Sequence, residues 1–551
     1  MIMRQWIKSG APWIWLNAAA VAILILLVGG LVSMLVARGF AHFWPTPVDR
    51  YVYDDRSNER MTLMGQVRDR ETISLARLQE SGAAIESDAN EIERILLKIG
   101  NRDLEDQDFR WILTPNIRQQ TRPLSAVVVE RAEWGVFIGY VRGLRRDGQL
   151  LQSSDVWEEF QAGIEQTAGL RANIREIERD QVGKINHRME QLRLQERRLL
   201  LDEVSATEPF SEIELERNAL EAEYLKYEAR LTSLYEQIQK DTVILETAEG
   251  EQVQLSMADV VKAWRPNDMS FSHKVMHFFG AFWAFVSEEP REANTEGGIF
   301  PAIFGTVLMV FIMTVVVFPF GVIAGIYLRE YAKQGLLTRT IRIAVSNLAG
   351  VPSIVYGVFG LGFFIYAVGG TIDELFYEEA LPMPTFGTGG LFWASLTLAL
   401  LTLPVVIIST EEGLSRIPSS LRQGSLALGA TRWETLWRTV LPVASPGIMT
   451  GLILAVARAA GEVAPLMLVG VVKLAPSLPV DGQFPFLHLE RKFMHLGFHI
   501  YDVGFQSPNV EAARPLVYAT AMLLVLVTLL LNAAAIRLRN RLRERYKGLE
   551  T

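Results

Sequence analysis

Arg458 and Glu462 stand four residues apart inside an apolar stretch, ARAAGEVAPLMLVG. An ionised side chain at the centre of a bilayer costs at least about 2.5–3.5 kcal/mol on insertion scales, so such residues face a cavity or a partner rather than lipid. At a spacing of i,i+4 on a helix the two share one face. Arginine is permanently charged and presents a planar fork of donors suited to oxyanion oxygens. Arg458 therefore reads as a residue that compensates an anion's charge along a path. Glu462 then holds the arginine in place and keeps the anion from binding too tightly. The alternative is a structural ion pair tying this segment to a partner helix. Asn347 and Ser353, beside Gly350 and Pro352 in another apolar run, are further candidates for the path, since a kinked span frees polar groups to line a cavity.

Covalent, metal and nucleotide chemistry find no support. The 551 residues include no cysteine, which removes disulfides, zinc thiolates and cysteine nucleophiles. Gly183-Lys184 is followed by Ile185, so no phosphate-binding loop forms there. The seven histidines are scattered. His273 and His277 have an i,i+4 spacing but lack an acidic or thiol partner in register. The expectation is a chain that is not an enzyme and binds no cofactor or metal, with any nucleotide energy supplied by a separate subunit.

The elements that position these residues are membrane spans. Half of the residues are hydrophobic, gathered into runs long enough for the roughly 20 residues that a spanning helix needs. Six qualify, at about 13–37, 299–327, 343–368, 390–410, 445–471 and 514–536. The first follows Arg4 and Lys8 and reads as an uncleaved anchor, being longer than a signal-peptide core. Basic residues next to spans stay on the cytoplasmic side. The loops holding Arg329, Lys333, Arg339 and Arg342, and Arg416, Arg422, Arg432 and Arg438, are therefore placed inside, as is the tail with Arg537 and Lys547. The acidic loop with Asp373, Glu374, Glu378 and Glu379 is placed outside. Both termini are then cytoplasmic and 41–297 is external. Glu411 and Glu412 are expected as an exposed cytoplasmic cap, and the Gly321/Gly325 spacing as a close helix contact.

The expected architecture is an all-α polytopic membrane protein with an inserted α+β domain. Its parts are a tip and first span (1–40), the insert (41–297), a five-span core (298–537) and a basic tail (538–551). Within the insert, 125–141 and 242–257 read as strand hairpins. Between them, about 164–241 reads as an antiparallel, coiled-coil-like helical hairpin roughly 45–55 Å long at 1.5 Å per residue. Its second arm carries Ile213, Leu220, Tyr224, Tyr227, Leu231, Leu234 and Ile238 as a seam. Acids and bases interleave along it, so it is a solvated surface and no nucleic-acid partner is expected. Val275, Phe278, Phe279, Phe282, Phe285 and Val286, with Trp283 nearby, suggest a helix lying in the membrane interface or packed against the insert.

The loop 411–443 contains QGSLALGATRWETLWRTVLP, from Gln423 to Pro442. It resembles the EAA loop of binding-protein-dependent transport permeases, E-A-A-x-x-x-G, nine residues, then I-x-L-P. Gly429, Leu441 and Pro442 fit; Ser425 is a mild change, while Gln423, Gly424 and Thr439 depart from the commonest residues. The blocks EGGIFPAIFGTVLMV, GIYLREYA, NLAGVPSIVYGVFGLG, ALGAT and ARAAGEVAPL, in that order, resemble the PstA family of phosphate ABC-transporter permeases across about 296–537. The resemblance implies a type I ABC importer permease fold with six transmembrane helices, and half of a path for inorganic phosphate in the bacterial inner membrane. It also implies coupling through Gln423, Gly424, Ser425, Gly429, Ala430, Leu441 and Pro442 to an ATPase that uses ATP and magnesium. The implied partners are a PstC-like permease, two copies of a PstB-like ATPase and a PstS-like periplasmic binding protein, besides membrane lipid. Permeases for sulfate or phosphonate are the nearest alternatives, and a membrane sensor is a distant one. Short members of the family lack anything like 41–297, so the insert inherits no role.

Overall fold

In the computed structural model, residues 9–54, 59–75, 91–105, 107–151, 155–203, 207–507 and 510–546 are described. Arg4, Lys8, Lys547 and residues 204–206, within the expected hairpin, lie outside them. Six helices are long and apolar enough to cross a membrane. Span 1 is Ala11–Ala41, span 2 is Phe300–Ile326, span 3 runs over 353–376, span 4 is Leu391–Ser415, span 5 is Leu441–Gly461 and span 6 is Val510–Tyr546.

Span 4 is the hub, packed between spans 2 and 5. Two of its buried threonines are satisfied locally, because Thr397 and Thr402 each donate a hydroxyl to the carbonyl four residues back, Trp393 and Leu398. The spans approach closely because small residues line the contacts. A Cβ on Gly321 would sit 2.6 Å from Val406, and one on Gly325 would sit 2.7 Å from Thr410. Gly413 and Gly447 bring spans 4 and 5 together in the same way. The expected Gly321/Gly325 contact is thus made with span 4. Span 1 stands apart, with no buried residue in its apolar window, and touches the rest near its end, where Gly39 meets Met522 of span 6 and Phe40 meets Phe278 and Phe282.

Two span boundaries differ from the sequence reading. Residues 343–348 belong to a separate amphipathic helix, Leu336–Leu348, and span 3 starts only after Pro352. That proline lacks an N–H and adopts an extended ψ of 136°, so the chain breaks between two helices and no kinked span results. Span 5 ends at Gly461, ten residues before the apolar run does. The chain then unwinds and forms one further turn, Leu466–Val469, which packs back on span 3, where a Cβ on Gly357 would lie 2.7 Å from Pro465.

The insert contains strands and helices. Strands β1 (Val48–Asp54), β2 (Arg60–Ser74), β3 (Glu91–Lys98), β4 (Phe109–Leu113) and β5 (Ile117–Thr121) form a five-stranded antiparallel sheet in the order β4-β3-β2-β1-β5. A second sheet contains β6 (Val127–Arg131), β7 (Val136–Arg146), β8 (Gln149–Leu150), β9 (Thr242–Glu246), β10 (Gln252–Ser256) and β11 (Val260–Trp264). It runs β10-β9-β7-β6-β11, with β8 on β7. The sheets share a core in which Val48 and Met64 meet Val128 and Ile138.

The hairpin between β8 and β9 starts earlier than expected. Its first arm covers Val156–Glu176 and Gly183–Leu201, joined by a wide turn at Ile177–Val182, and its second is Thr207–Gln239. Asp155 caps the first arm by accepting from the amides of Trp157 and Glu158. Ile213 and Ile238 are buried in the seam, whereas Tyr224 is 40% exposed and lies off it. The first arm touches the core at two loops: Arg198 pairs with Glu379 at 3.0 Å, and His187 meets His488 edge to face.

The helix Phe271–Ser287 has two apolar faces. Phe285 is buried with Phe43, and Phe278 and Phe282 pack beside them, while Met276, Phe279 and Trp283 are each more than half exposed. The buried face thus packs beside the end of span 1, and the opposite face leaves its apolar side chains exposed.

Candidate functional site

Arg458 lies in the last turn of span 5. Leu454, Arg458 and Gly461 fall at i, i+4 and i+7, and this stripe is left partly or wholly uncovered by the rest of the chain. Glu462 is the first residue beyond the helix, in an extended conformation with φ −81° and ψ 132°. The shared helical face expected for the pair is thus replaced by a hook, in which the chain turns and the carboxylate reaches back. Arg458 Nε donates to Glu462 Oε1 at 3.4 Å, and the side chains keep 31% and 21% of their accessible surface. A guanidinium has five donors, and among the described residues this long bond engages one, which leaves most of the fork without a hydrogen-bond partner there. The hook lies deep in the bundle, because the turn after Glu462 packs on Gly357 and Gly360 of span 3.

Tyr356, a further polar residue of the stretch after Gly350 and Pro352, is the pair's neighbour. It is buried, lies within electrostatic reach of Arg458, and donates its hydroxyl to the Leu348 carbonyl at 2.7 Å. That bond ties the end of the 336–348 helix to the span beside the pair. The signal was present in VPSIVYGVFG, since a tyrosine in an apolar span needs a partner for its hydroxyl. Ser353 begins span 3, one turn before Tyr356, and Asn347 is exposed near the end of the preceding helix. No hydrogen bond joins either side chain to Arg458 or Glu462 among the described residues. The structure therefore brings Arg458 and Glu462 together and leaves Asn347 and Ser353 apart from them.

A second site protrudes from the opposite end of the bundle. Helix Ser419–Ala427 stops at Gly429, whose φ of +89° is the left-handed region that glycine adopts without strain. Thr431 then starts Arg432–Thr435 with a capping box: its hydroxyl accepts from the Glu434 amide at 3.2 Å, and the Glu434 carboxylate accepts from the Thr431 amide at 2.9 Å. Ser425 and Thr435 hydroxyls meet across the break at 2.9 Å. Arg422 anchors the knob on Glu330 at 2.8 Å and on the carbonyls of Leu414 and Ile417. Gln423 and Gly424 are exposed, and Ala430 follows the turn.

Leu441-Pro442 does not restart a helix. The wide turn at Leu436–Val440 carries the helix straight into span 5, so Pro442, which lacks an N–H, lies within a continuous helix directly after that wide turn. Glu411 is likewise not an exposed cap, since Arg342 binds it at 3.0 Å. The knob's tip is apolar: Leu428 is 91% exposed, and Trp433 and Trp437 stack at 5.8 Å with more than half of each surface open. Exposed apolar patches of this kind are the surfaces that mark protein–protein contact.

The described residues that follow span 5, 472–507, fold into the head of the bundle. His495 and His499 are buried; the Leu496 amide donates to Thr306 at 2.9 Å, and Lys473 pairs with Asp502 at 3.2 Å. Among the described residues no group of three or more His, Asp or Glu could hold a metal.

Six apolar helices with span 4 as the hub, an arginine on an uncovered stripe and a protruding apolar knob are the features of a membrane-embedded permease subunit. Residues 317–547 match the family described as binding-protein-dependent transport system inner membrane component. The phosphate transport system permease protein PstA 1 of Mycobacterium tuberculosis is 34% identical over 244 residues, covering 44% of this chain and 71% of that one. PstA of Yersinia pestis is 34% identical over 252 residues, covering 46% and 75%. Among solved structures, the inward-facing MetNI methionine ABC transporter overlaps 50% of this chain and 99% of that one at 20% identity, with a TM-score of 0.34. The chain belongs to the PstA family of ABC-transporter permeases. It is a multi-pass membrane subunit and not itself an enzyme.

Proposed function

We propose that this chain is the permease subunit of an ATP-driven importer of inorganic phosphate and forms half of the transmembrane path. The observation that carries this reading is the 34% identity to PstA phosphate permeases over 244 residues, a stretch as long as the whole five-span core. Arg458 supports it from the geometry. Its fork is mostly unspent and faces an uncovered stripe at depth in the bundle, where a dehydrating oxyanion needs compensating charge. Glu462 limits how tightly the anion is held, which conduction requires. Asn347 and Ser353 would join the path only through movement of the 347–352 break.

The other half of the path belongs to a homologous PstC-like permease. The knob around Gly429, with Gln423, Gly424, Ser425 and Ala430 on its surface, seats in one of two PstB-like ATPase copies, and the continuous helix from Arg432 through Leu441 and Pro442 passes their movement to span 5. ATP and magnesium are used there, and this chain holds no cofactor. Both termini lie on the cytoplasmic side of the bacterial inner membrane. The insert is periplasmic, where a PstS-like protein delivers phosphate. By bridging the loops at Glu379 and His488, the hairpin braces the outer mouth of the bundle.

The test is ATP-dependent uptake of radiolabelled phosphate into proteoliposomes containing the whole complex, with sulfate as competitor and Arg458→Ala alongside. Uptake that resists sulfate and collapses in R458A is the expected result. Unchanged uptake in R458A would make the arginine structural. Failure of phosphate uptake, with ATP hydrolysis and assembly intact, would move the substrate to another oxyanion.

A further inference from the structure

A cavity of about 410 Å³ lies where both sheets of the insert, the 271–287 helix, the end of span 1 and the start of span 6 converge. One wall is apolar, made by Phe43, Trp44, Phe285 and Leu516. The other wall carries cations. Two of them, Lys262 and Arg291, are engaged by Glu288 and Glu130. The other two, Arg68 of β2 and Lys98 of β3, form no ion pair among the described residues. The Arg68 guanidinium donates only to the neutral amide oxygen of Gln66, at 3.1 Å. Glu296 also lines the cavity, but burial raises its carboxyl to about 7, so it is a poor counter-ion near neutral pH.

Two unpaired cations against an apolar wall are costly unless an anion joins them. The position indicates what kind of anion. The floor is built from the points where spans 1 and 6 leave the bundle, and the 271–287 helix beside it turns Met276, Phe279 and Trp283 outward as a membrane-interface helix would. Basic pockets at the ends of membrane helices suit lipid headgroups. We propose that this cavity binds a phosphate group between Arg68 and Lys98, and that its source is the headgroup of an anionic phospholipid whose chains continue along the apolar wall. The site is separate from the translocation path and stands whether or not the substrate reading holds.

The experiment is thermal melting of the detergent-purified full-length chain titrated with phosphatidylglycerol, phosphatidylethanolamine and inorganic phosphate in parallel. Phosphatidylglycerol is expected to raise the melting temperature at concentrations at least about tenfold below phosphatidylethanolamine, because bonds to an unpaired cation reward the net anionic head. In R68Q/K98Q this advantage is expected to fall by about tenfold or more, with the lipid-free melting temperature unchanged or higher, since two unpaired charges are gone. Gly280→Leu offers a second route: Gly280 borders the cavity with open space at its Cβ position, so a leucine fills the cavity, leaves both cations intact and is expected to abolish the advantage. An equal response to inorganic phosphate alone, lost in the same variants, assigns the site to the free ion. Equal effects of the two lipids, or an advantage that survives in both variants, overturns the proposal.

Discussion

The five-span core and the insert are held by opposite means. In the core, helices approach closely through Gly321, Gly325, Gly413 and Gly447, and Thr397 and Thr402 satisfy their buried hydroxyls within their own helix. Where the hairpin touches the core, the described contacts are an exposed arginine on a loop glutamate and one ring against another. Lipid gives no hydrophobic drive between helices, so close approach is what remains to hold a bundle. Water screens surface pairs and makes them weak but easily broken and remade. The core is therefore a fixed frame, and the hairpin is a brace that can let go.

The frame breaks under a change of volume. Gly325→Leu puts a branched side chain where a Cβ alone would lie 2.7 Å from Thr410. Overpacking of this kind typically costs about 1–3 kcal/mol and sometimes more. Detergent-solubilised G325L is expected to melt well below the wild type. A melting temperature within a degree of wild type would mean that spans 2 and 4 are not locked through this contact.

The junction between insert and spans should respond to pH. Glu296 faces Lys98, Glu130, Glu292 and Arg291, and burial is the largest cause of its rise from 4.5 to about 7. The folded protein holds this proton more tightly than the unfolded chain does. The stabilisation is complete below about pH 4.5 and is lost as pH rises through about 7. The span of the effect is at most about 3 kcal/mol. Melting measured from pH 5 to 8 is expected to show a fall that Glu296→Gln flattens, because the amide keeps the neutral form at every pH. Parallel curves for the two proteins would place the pH response elsewhere.

Legibility in the sequence followed the same division. Spans 1, 2, 4 and 6 could be read from unbroken apolar runs. The far end of span 5 could not, because Val463, Ala464 and Leu466 are as apolar inside a turn as in a helix, and only packing on Gly357 shows that the chain has folded back. The start of span 3 was obscured because the 336–348 helix is apolar along one side. In the insert, the hairpins β6–β7 and β9–β10 announced themselves by β-branched runs around a turn. The first sheet did not. Strand β2, RMTLMGQVRDRETIS, mixes charges into both faces where it is exposed, and the sheet is completed by β5, which pairs with β1 from far along the chain. Arg458 and Glu462 were visible as a pair, since charge in an apolar run is conspicuous. The hook that joins them was not, because φ and ψ at Glu462 are decided by neighbours that no local pattern names.

The smallest expected effect is the one that tests the brace. Arg198 is 61% exposed where it pairs with Glu379, so Arg198→Gln should cost less than about 1 kcal/mol and leave the melting temperature of the core unchanged. What should change is local opening. Amide exchange in 183–201 is expected to rise severalfold in R198Q, and high salt should raise it to a similar level in the wild type, while exchange in span 4 stays constant under both conditions. A surface pair weakened by screening gives that pattern, because salt and mutation remove the same Coulomb energy and should not add. Additive effects would show that salt loosens the hairpin at some other contact, and exchange rising in span 4 as well would show that the hairpin and the frame open together.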